Sequence, residues 1–141
     1  METDIFSLSK SEKEDLKAYS ISALILFGSQ AQDLAGSKSD FDIGVISSDQ
    51  KMLYDDNKRK NTYDFLYNLF SDKINRLVDI DIVFLETAPA ELQSHVIKYG
   101  KIIFESSPGI FDNFKARIME QYADFAPLRN IFHLGIFSRI P

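Results

Sequence analysis

The stretch Leu24-Ile25-Leu26-Phe27-Gly28-Ser29, followed after ten residues by Asp40-Phe41-Asp42, decides how this chain folds. The first part is typical of a buried apolar strand, predicted over residues 21–27, that stops at a Gly-Ser turn, and the second part opens another strand, predicted over residues 41–47. Side chains alternate between faces along a strand, so Asp40 and Asp42 point to the same side. Their Cα atoms are then about 7 Å apart, which is two rises of roughly 3.3 Å.

Two carboxylates held this close repel each other, which raises the pKa of at least one of them unless a cation lies between them. Mg²⁺ binds in oxygen-rich sites of this kind, together with water and substrate phosphates. The turn at Gly28 and Ser29 offers a phosphate group a closely approachable backbone, exposed N–H groups and a hydroxyl. The alternative is an ordinary strand pair with turn-capping aspartates, but aspartate is depleted in strands and two on one face need a reason.

The Gly-Ser turn, the ten-residue spacer and the aspartate pair together resemble the signature of the DNA polymerase β-like nucleotidyltransferase superfamily. The resemblance implies an α+β fold in which helices flank a central mixed sheet and a further helix lies at the C-terminal end. It also implies that the turn and the aspartate pair bind a nucleotide, through Gly28, Ser29, Asp40 and Asp42.

A third strand is predicted over residues 78–84, and it carries two more aspartates on one face, Asp79 and Asp81. A third carboxylate suits a two-metal site, in which cations stabilise both the attacking and the leaving oxygen. Asp81 is the better candidate because it lies deeper in the strand and aligns with the family's aspartate that precedes an Ala-Pro pair. The resemblance therefore implies a catalytic and metal-binding set of Asp40, Asp42 and Asp81.

The 141 residues are predicted to form one nucleotidyltransferase domain, residues 1–141. A content of 45% hydrophobic and 26% charged residues is typical of a soluble globular protein. No apolar run approaches the ~18 residues that span a membrane, and the acidic N-terminus lacks the features of a signal peptide. We therefore expect a cytoplasmic protein without membrane contact. The absence of cysteine excludes disulfides and thiolate metal ligands.

The formal net charge of −5 argues against tight binding to a phosphate backbone, which needs clustered lysine and arginine. A nucleic-acid polymerase or an RNA-tailing enzyme would show a basic groove or an added RNA-binding domain, and the sequence indicates neither. A small nucleotide that arrives with its own metal ion is compatible with an acidic protein. We therefore expect no direct binding of nucleic acid.

One helix is predicted to begin at a capping box, formed either by Ser9 and Glu12 or by Ser11 and Glu14. Another is predicted to begin after Pro89 and to end at Gly100. A short helix over residues 29–34 is predicted to direct its N–H groups at a triphosphate. The polar residues 48–60 are predicted to form a solvated loop and the first turn of the next helix.

The last third of the chain is predicted to contain a strand over residues 101–105 and an amphipathic helix over residues 110–126. The tail that follows, residues 128–141, is very apolar for a terminus. It either packs back on the domain or contacts a partner, because exposed apolar patches usually mark interaction sites. His95 lies on the helix before the strand, and a lone histidine there is more often a surface or core residue than a catalytic one.

Over nearly its whole length the chain looks like the minimal nucleotidyltransferases (MNT) that serve as antitoxins in HEPN/MNT toxin–antitoxin pairs, the MntA-type proteins. Besides the turn and the carboxylates, the similarity includes residues 99–105 and 121–125. The resemblance implies a protein adenylyltransferase that uses ATP and Mg²⁺ to attach AMP to a tyrosine of a cognate HEPN ribonuclease toxin. The toxin is thereby neutralised, and it is the expected partner in a hetero-oligomer.

The chain departs from the family directly after the Gly-Ser turn. Many members carry arginines there, whereas this chain has Gln30 and Gln32. A triphosphate near the turn loses cationic partners, each worth about 1–3 kcal/mol when well placed, and Lys38 or a partner residue is a candidate substitute. Two alternatives stay open: a non-catalytic antitoxin that inhibits the toxin by binding alone, and a small-molecule (aminoglycoside-type) nucleotidyltransferase, for which no second domain to hold the acceptor is evident.

Overall fold

The computed structural model describes residues 6–28, 31, 40–74 and 78–122. Its elements in chain order are α1 (Lys10–Ala18), β1 (Ile21–Phe27), β2 (Phe41–Ser47), α2 (Gln50–Leu53), α3 (Asp56–Ile74), β3 (Ile80–Phe84), α4 (Ala90–Tyr99), β4 (Lys101–Glu105) and α5 (Ile110–Gln121). A 3₁₀ turn over Leu85–Thr87 follows β3. None of the described helices is long and apolar enough to cross a membrane.

The four strands form one mixed sheet in the order β3-β2-β1-β4. β1 pairs antiparallel with both β2 and β4, whereas β2 pairs parallel with β3. All seven residues of β1 are buried, as expected for a central strand covered on both faces. The prediction of an α+β fold with a mixed sheet flanked by helices is therefore confirmed.

Helices cover the two faces of the sheet separately. Leu24 and Leu26 of β1 pack in a core that α1, α2 and α3 cover, and buried side chains such as Phe70 complete it. Ile25 and Phe27, which alternate with them, pack on the other face under α4 and α5. This alternation decides which helices lie over any side chain that projects from the sheet.

α1 begins at a capping box, as the sequence predicts. The Ser9 hydroxyl accepts a hydrogen bond from the Glu12 N–H (3.1 Å), and the Glu12 carboxylate accepts one from the Ser9 N–H (2.8 Å). Glu12 also forms an ion pair with Lys73 of α3 (3.0 Å). These contacts hold the pKa of Glu12 below its usual value, chiefly through the Ser9 N–H, and they join the first helix to the longest one.

β1, β2 and β4 have the predicted bounds, and α4 ends at Gly100 as predicted. Residues 48–60 are predicted to form a solvated loop and the first turn of the next helix. The helical turn is confirmed, because α3 begins at Asp56, but the loop prediction is wrong for Gln50–Leu53, which form α2. The reason is that the aspartates in this stretch cap helices. Asp49 accepts from two N–H groups of α2, and Asp55 accepts from two of α3. The predicted helix over residues 29–34, apart from residue 31, lies outside the described residues, as do residues 123–141.

Glu86, in the 3₁₀ turn, carries a buried carboxyl at the end of β2 that is remote from the aspartates. One carboxyl oxygen, Oε2, accepts a hydrogen bond from the Ser47 N–H (3.0 Å), and the other, Oε1, is buried without a hydrogen-bond partner. Burial raises the pKa of this carboxyl above its usual value, although the Ser47 N–H opposes the rise.

We predict that Glu86→Gln stabilises the protein at pH 8 and leaves its stability at pH 4 unchanged. A carboxyl whose pKa is raised by folding does not destabilise the folded state below its unfolded pKa. As the pH rises from the unfolded pKa through the folded pKa, ionisation of this carboxyl lowers the free energy of unfolding. The glutamine keeps an acceptor for Ser47 and removes the buried charge. Thermal melting at both pH values measures the effect, with the exposed Glu91→Gln as control. A lower melting temperature than wild type at pH 8 would contradict it.

Candidate active site

The register of the sheet brings the predicted carboxylates to one end of it. Asp42 is paired with Phe27, the last residue of β1, and on its other side with Asp81 of β3. Residues paired in this way project to the same face, and Phe27 lies on the face that α4 and α5 cover. Asp40 lies two residues before Asp42, directly ahead of the strand.

The three carboxylates share one electrostatic environment. Asp42 is half-buried, while Asp40 and Asp81 are exposed. Burial, and then repulsion from Asp81 and Asp40, raises the pKa of Asp42 to about 6. An arrangement that raises a carboxyl pKa through neighbouring carboxylates is costly to the fold, and such arrangements are found at functional sites.

The chemistry of these side chains fits a hard divalent cation. Carboxylate oxygens are the ligands that Mg²⁺ prefers, and a cation among them would relieve the repulsion at Asp42. Within the residues that the structure describes, no three carboxylate or imidazole side chains converge into a ready-made metal site. Mg²⁺ usually takes several ligands from water and from substrate phosphates, so an open set of carboxylates fits its role.

Gly28 ends β1 in a conformation that only glycine adopts readily, with φ = +76°. A Cβ atom at this position would overlap Oδ2 of Asp42 and lie 3.1 Å from its Cγ. The backbone at the turn is thus in direct contact with the central carboxylate. The Gly28 carbonyl accepts a hydrogen bond from the N–H of Ala31 (3.2 Å), which closes the turn.

Several residues singled out in the sequence lie outside the described residues. They are Ser29, Gln30, Gln32 and Lys38.

Of the two aspartates near β3, the structure places Asp81 opposite Asp42. Asp79 is exposed ahead of the strand, and its carbonyl accepts a hydrogen bond from the Phe41 N–H (3.0 Å).

His95 lies nearer to this end of the sheet than its position in the sequence suggests. Its ring centroid is 6.5 Å from that of Phe27 and 5.1 Å from that of Tyr99. It is half-buried, and burial lowers its pKa below the usual value, which favours the neutral imidazole at pH 7. The spacing of His95 and Tyr99, four residues apart on one helix face, is the sequence signal for this pair.

We predict that Asp42→Asn stabilises the metal-free protein at pH 8. The carboxyl pKa rises from 3.8 to about 6 on folding, so ionisation at Asp42 costs free energy above pH 6 and costs nothing below pH 4. After allowance for solvent screening at this half-buried side chain, the gain in the free energy of unfolding is about 1 kcal/mol.

Chemical denaturation in EDTA at pH 8 and at pH 4 measures this gain. The control is Asp79→Asn, which removes an exposed carboxylate of the same segment. An equal gain for both variants, or a loss for Asp42→Asn, would show that repulsion at Asp42 does not burden the fold.

We predict that Gly28→Ala destabilises the protein more than Gly109→Ala does. Both glycines have positive φ, +76° and +92°, and alanine in that region costs about 1–2 kcal/mol. A Cβ at Gly109 meets no atom within 4 Å, whereas one at Gly28 overlaps the Asp42 carboxylate. The difference between the two free energies of unfolding therefore reports the clash at the site. Equal losses would mean that the turn and Asp42 are not in contact.

The chain resembles known proteins in sequence family and in fold. The family described as polymerase beta, nucleotidyltransferase matches residues 10–109. Among solved structures, a toxin–antitoxin with AMP-PNP superimposes with a TM-score of 0.62 at 22% identity, over 88% of this chain and 95% of that one. A search of the curated proteins finds no match to the sequence.

Two further structures have the same fold. The toxin–antitoxin MntA-HepT gives a TM-score of 0.54 at 18% identity, covering 88% of this chain and 95% of that one. The tri-AMPylated Shewanella oneidensis HEPN toxin in complex with MNT antitoxin gives 0.54 at 18% identity, covering 85% and 91%. At these identities the likeness concerns the fold alone.

Proposed function

Because the chain belongs to the polymerase beta nucleotidyltransferase family, we propose that it is an antitoxin that transfers AMP from ATP to a tyrosine of a HEPN toxin. The observation that carries the proposal is the register that sets Asp42 beside Asp81, with Asp40 next to them and the Gly28 backbone in contact. Three carboxylates at a phosphate-binding turn suit nucleotidyl transfer better than any other chemistry the chain offers.

Asp40, Asp42 and Asp81 would hold Mg²⁺. When bound, the metal neutralises phosphate charge and lowers the pKa of a coordinated hydroxyl. The backbone at Gly28, together with Ser29, would bind the β- and γ-phosphates, because a glycine turn lets an anion approach N–H groups closely.

Asp81 is an exposed carboxylate on the edge strand, so an incoming acceptor can reach it. In the proposed step the tyrosine oxygen forms a bond to the α-phosphorus of ATP as the bond from that phosphorus to the β-phosphate oxygen breaks. Pyrophosphate leaves, and Asp81 accepts the hydroxyl proton. Most of the rate enhancement comes from positioning and from charge neutralisation.

The choice of partner rests on the structural neighbours. One is a toxin–antitoxin with AMP-PNP, and another contains a tri-AMPylated HEPN toxin with an MNT antitoxin. Both share the fold of this chain over most of its length. They support a HEPN toxin as acceptor and ATP as donor, and they agree with a chain whose net charge of −5 disfavours a nucleic-acid acceptor.

The test is to incubate the protein with labelled ATP, Mg²⁺ and the protein encoded by the neighbouring gene. We expect label on a tyrosine of that protein. Asp40→Ala, Asp42→Ala and Asp81→Ala should each lower the labelling rate by on the order of 100-fold or more, as loss of a charge-stabilising group does in other enzymes. Asp79→Ala, which removes a nearby exposed carboxylate, should label at the wild-type rate.

Two outcomes would replace the proposal. A tight complex that inhibits the toxin without label, and that these substitutions leave unchanged, would indicate an antitoxin that acts by binding alone. Gln30 and Gln32, in place of cationic residues, are the feature that favours this reading. Label on an aminoglycoside, with none on the protein, would indicate a small-molecule nucleotidyltransferase.

A further inference from the structure

We propose that the outer edge of β3 binds an extended segment of the partner protein as a fifth strand, and that this segment carries the acceptor tyrosine. The inference rests on the proposed function, because it assigns the place where the acceptor approaches Asp81. Its evidence is independent of the carboxylates themselves, since it comes from the edge of the sheet and the groove beside it.

Backbone groups on one side of β3 have no partner among the described strands. β3 is the last strand in the order β3-β2-β1-β4, and no described strand pairs with its outer side. The Asp79 carbonyl accepts from the Phe41 N–H, so by the alternation of a parallel ladder the backbone groups of Asp81 and Val83 face β2. Those of Ile82 therefore face outward, where an added strand would pair with them.

An open groove of about 500 Å³ runs along this edge. Its floor is formed by Ile82, Val83 and Phe84 of β3, and its rims by the first half of α3 and by the segment from Thr87 to Pro89. The floor is apolar, and the rim formed by α3 carries charged side chains. An apolar floor with charged groups on one rim suits a peptide that binds through its backbone and alternate side chains.

The charge of the groove indicates the kind of segment that fits. Among the described residues, Arg59 and Lys60 line it together with one carboxylate, Asp56, which is 3.1 Å from the Arg59 guanidinium. The wall is therefore net positive in a chain whose net charge is −5. We expect a neutral or acidic segment, since a basic one would be repelled by Lys60.

The groove lies beside Asp81, the carboxylate proposed to accept the proton of the tyrosine. Asp81 immediately precedes Ile82 in β3, and it projects to the same face as Asp42. A strand added to the edge lies about 4.8 Å from β3, and its residue opposite Asp81 projects to that same face. A tyrosine there would extend beside the Asp81 carboxylate, on the face of the sheet that carries Asp42. Strand addition thus supplies both affinity and the placement of the acceptor.

Residue-resolved amide hydrogen exchange of the full chain tests the proposal, without and with an excess of the HEPN-type partner. We expect the Ile82 amide, which faces outward, to exchange rapidly in the free protein and to slow at least tenfold in the complex. The Asp81 and Val83 amides face β2 and are the internal control, because they should be protected in both states. A slow Ile82 amide in the free protein, or a rapid one in a saturated complex, would overturn the proposal.

A charge reversal on the groove wall provides a second test of the docking site. Lys60→Glu should raise the KM for the partner about five- to tenfold and leave kcat unchanged, because Lys60 attracts the segment and takes no part in the reaction. Lys58→Glu is the matched control, since Lys58 is an exposed lysine of the same helix outside the groove. Equal KM values for the two variants would contradict docking in the groove.

The two proposals fail in different ways. If the partner is labelled while the Ile82 amide stays unprotected, the transfer reaction stands and the docking site is wrong. If the Ile82 amide is protected while no label appears, the edge binds the partner and the transfer reaction is wrong.

Discussion

Asp42 stands between two neighbours that define the site, the backbone of Gly28 on one side and the carboxylate of Asp81 on the other. Burial and repulsion together raise its pKa to about 6, so the ionised carboxylate destabilises the folded state above that pH. Packing of the sheet offsets this destabilisation, because β1 and β2 are buried along nearly their whole length. Packing on both faces fixes the register, and the register fixes the distances between the carboxylates.

Two further features of the site are related to the position of Asp42, namely the glycine that ends β1 and the exposed edge of β3. A side chain at residue 28 would displace Asp42, so the turn that ends β1 requires glycine. Among the described strands β3 pairs only with β2, and Asp81 is exposed at this edge beside an open groove. Asp42 is thus half-buried at the centre of the site, while Asp81 remains accessible. This asymmetry suits a reaction in which a nucleotide is held firmly and a macromolecular acceptor arrives from outside.

The sequence predicts much of the fold, because buried apolar runs bounded by glycine and aspartate locate β1 and β2 to the residue. It predicts which side chains share a face of a strand, but it does not say which strands are neighbours. The pairing of Asp42 with Asp81 therefore needs the structure, as does the proximity of His95 to Phe27. The polar stretch that contains α2 is wrongly predicted as a loop, because aspartate is favoured both at helix N-caps and in loops, and a single sequence does not distinguish the two.

The central claim is that the carboxylate cluster binds the nucleotide together with Mg²⁺, and calorimetric titration with AMP-PNP tests it most directly. We expect binding to the wild-type protein in Mg²⁺, much weaker binding in EDTA, and no Mg²⁺-dependent binding to Asp42→Asn. Because that variant is expected to fold at least as stably as wild type, lost binding cannot be ascribed to unfolding. Equal binding with and without Mg²⁺, or binding that Asp42→Asn leaves unchanged, would contradict the account.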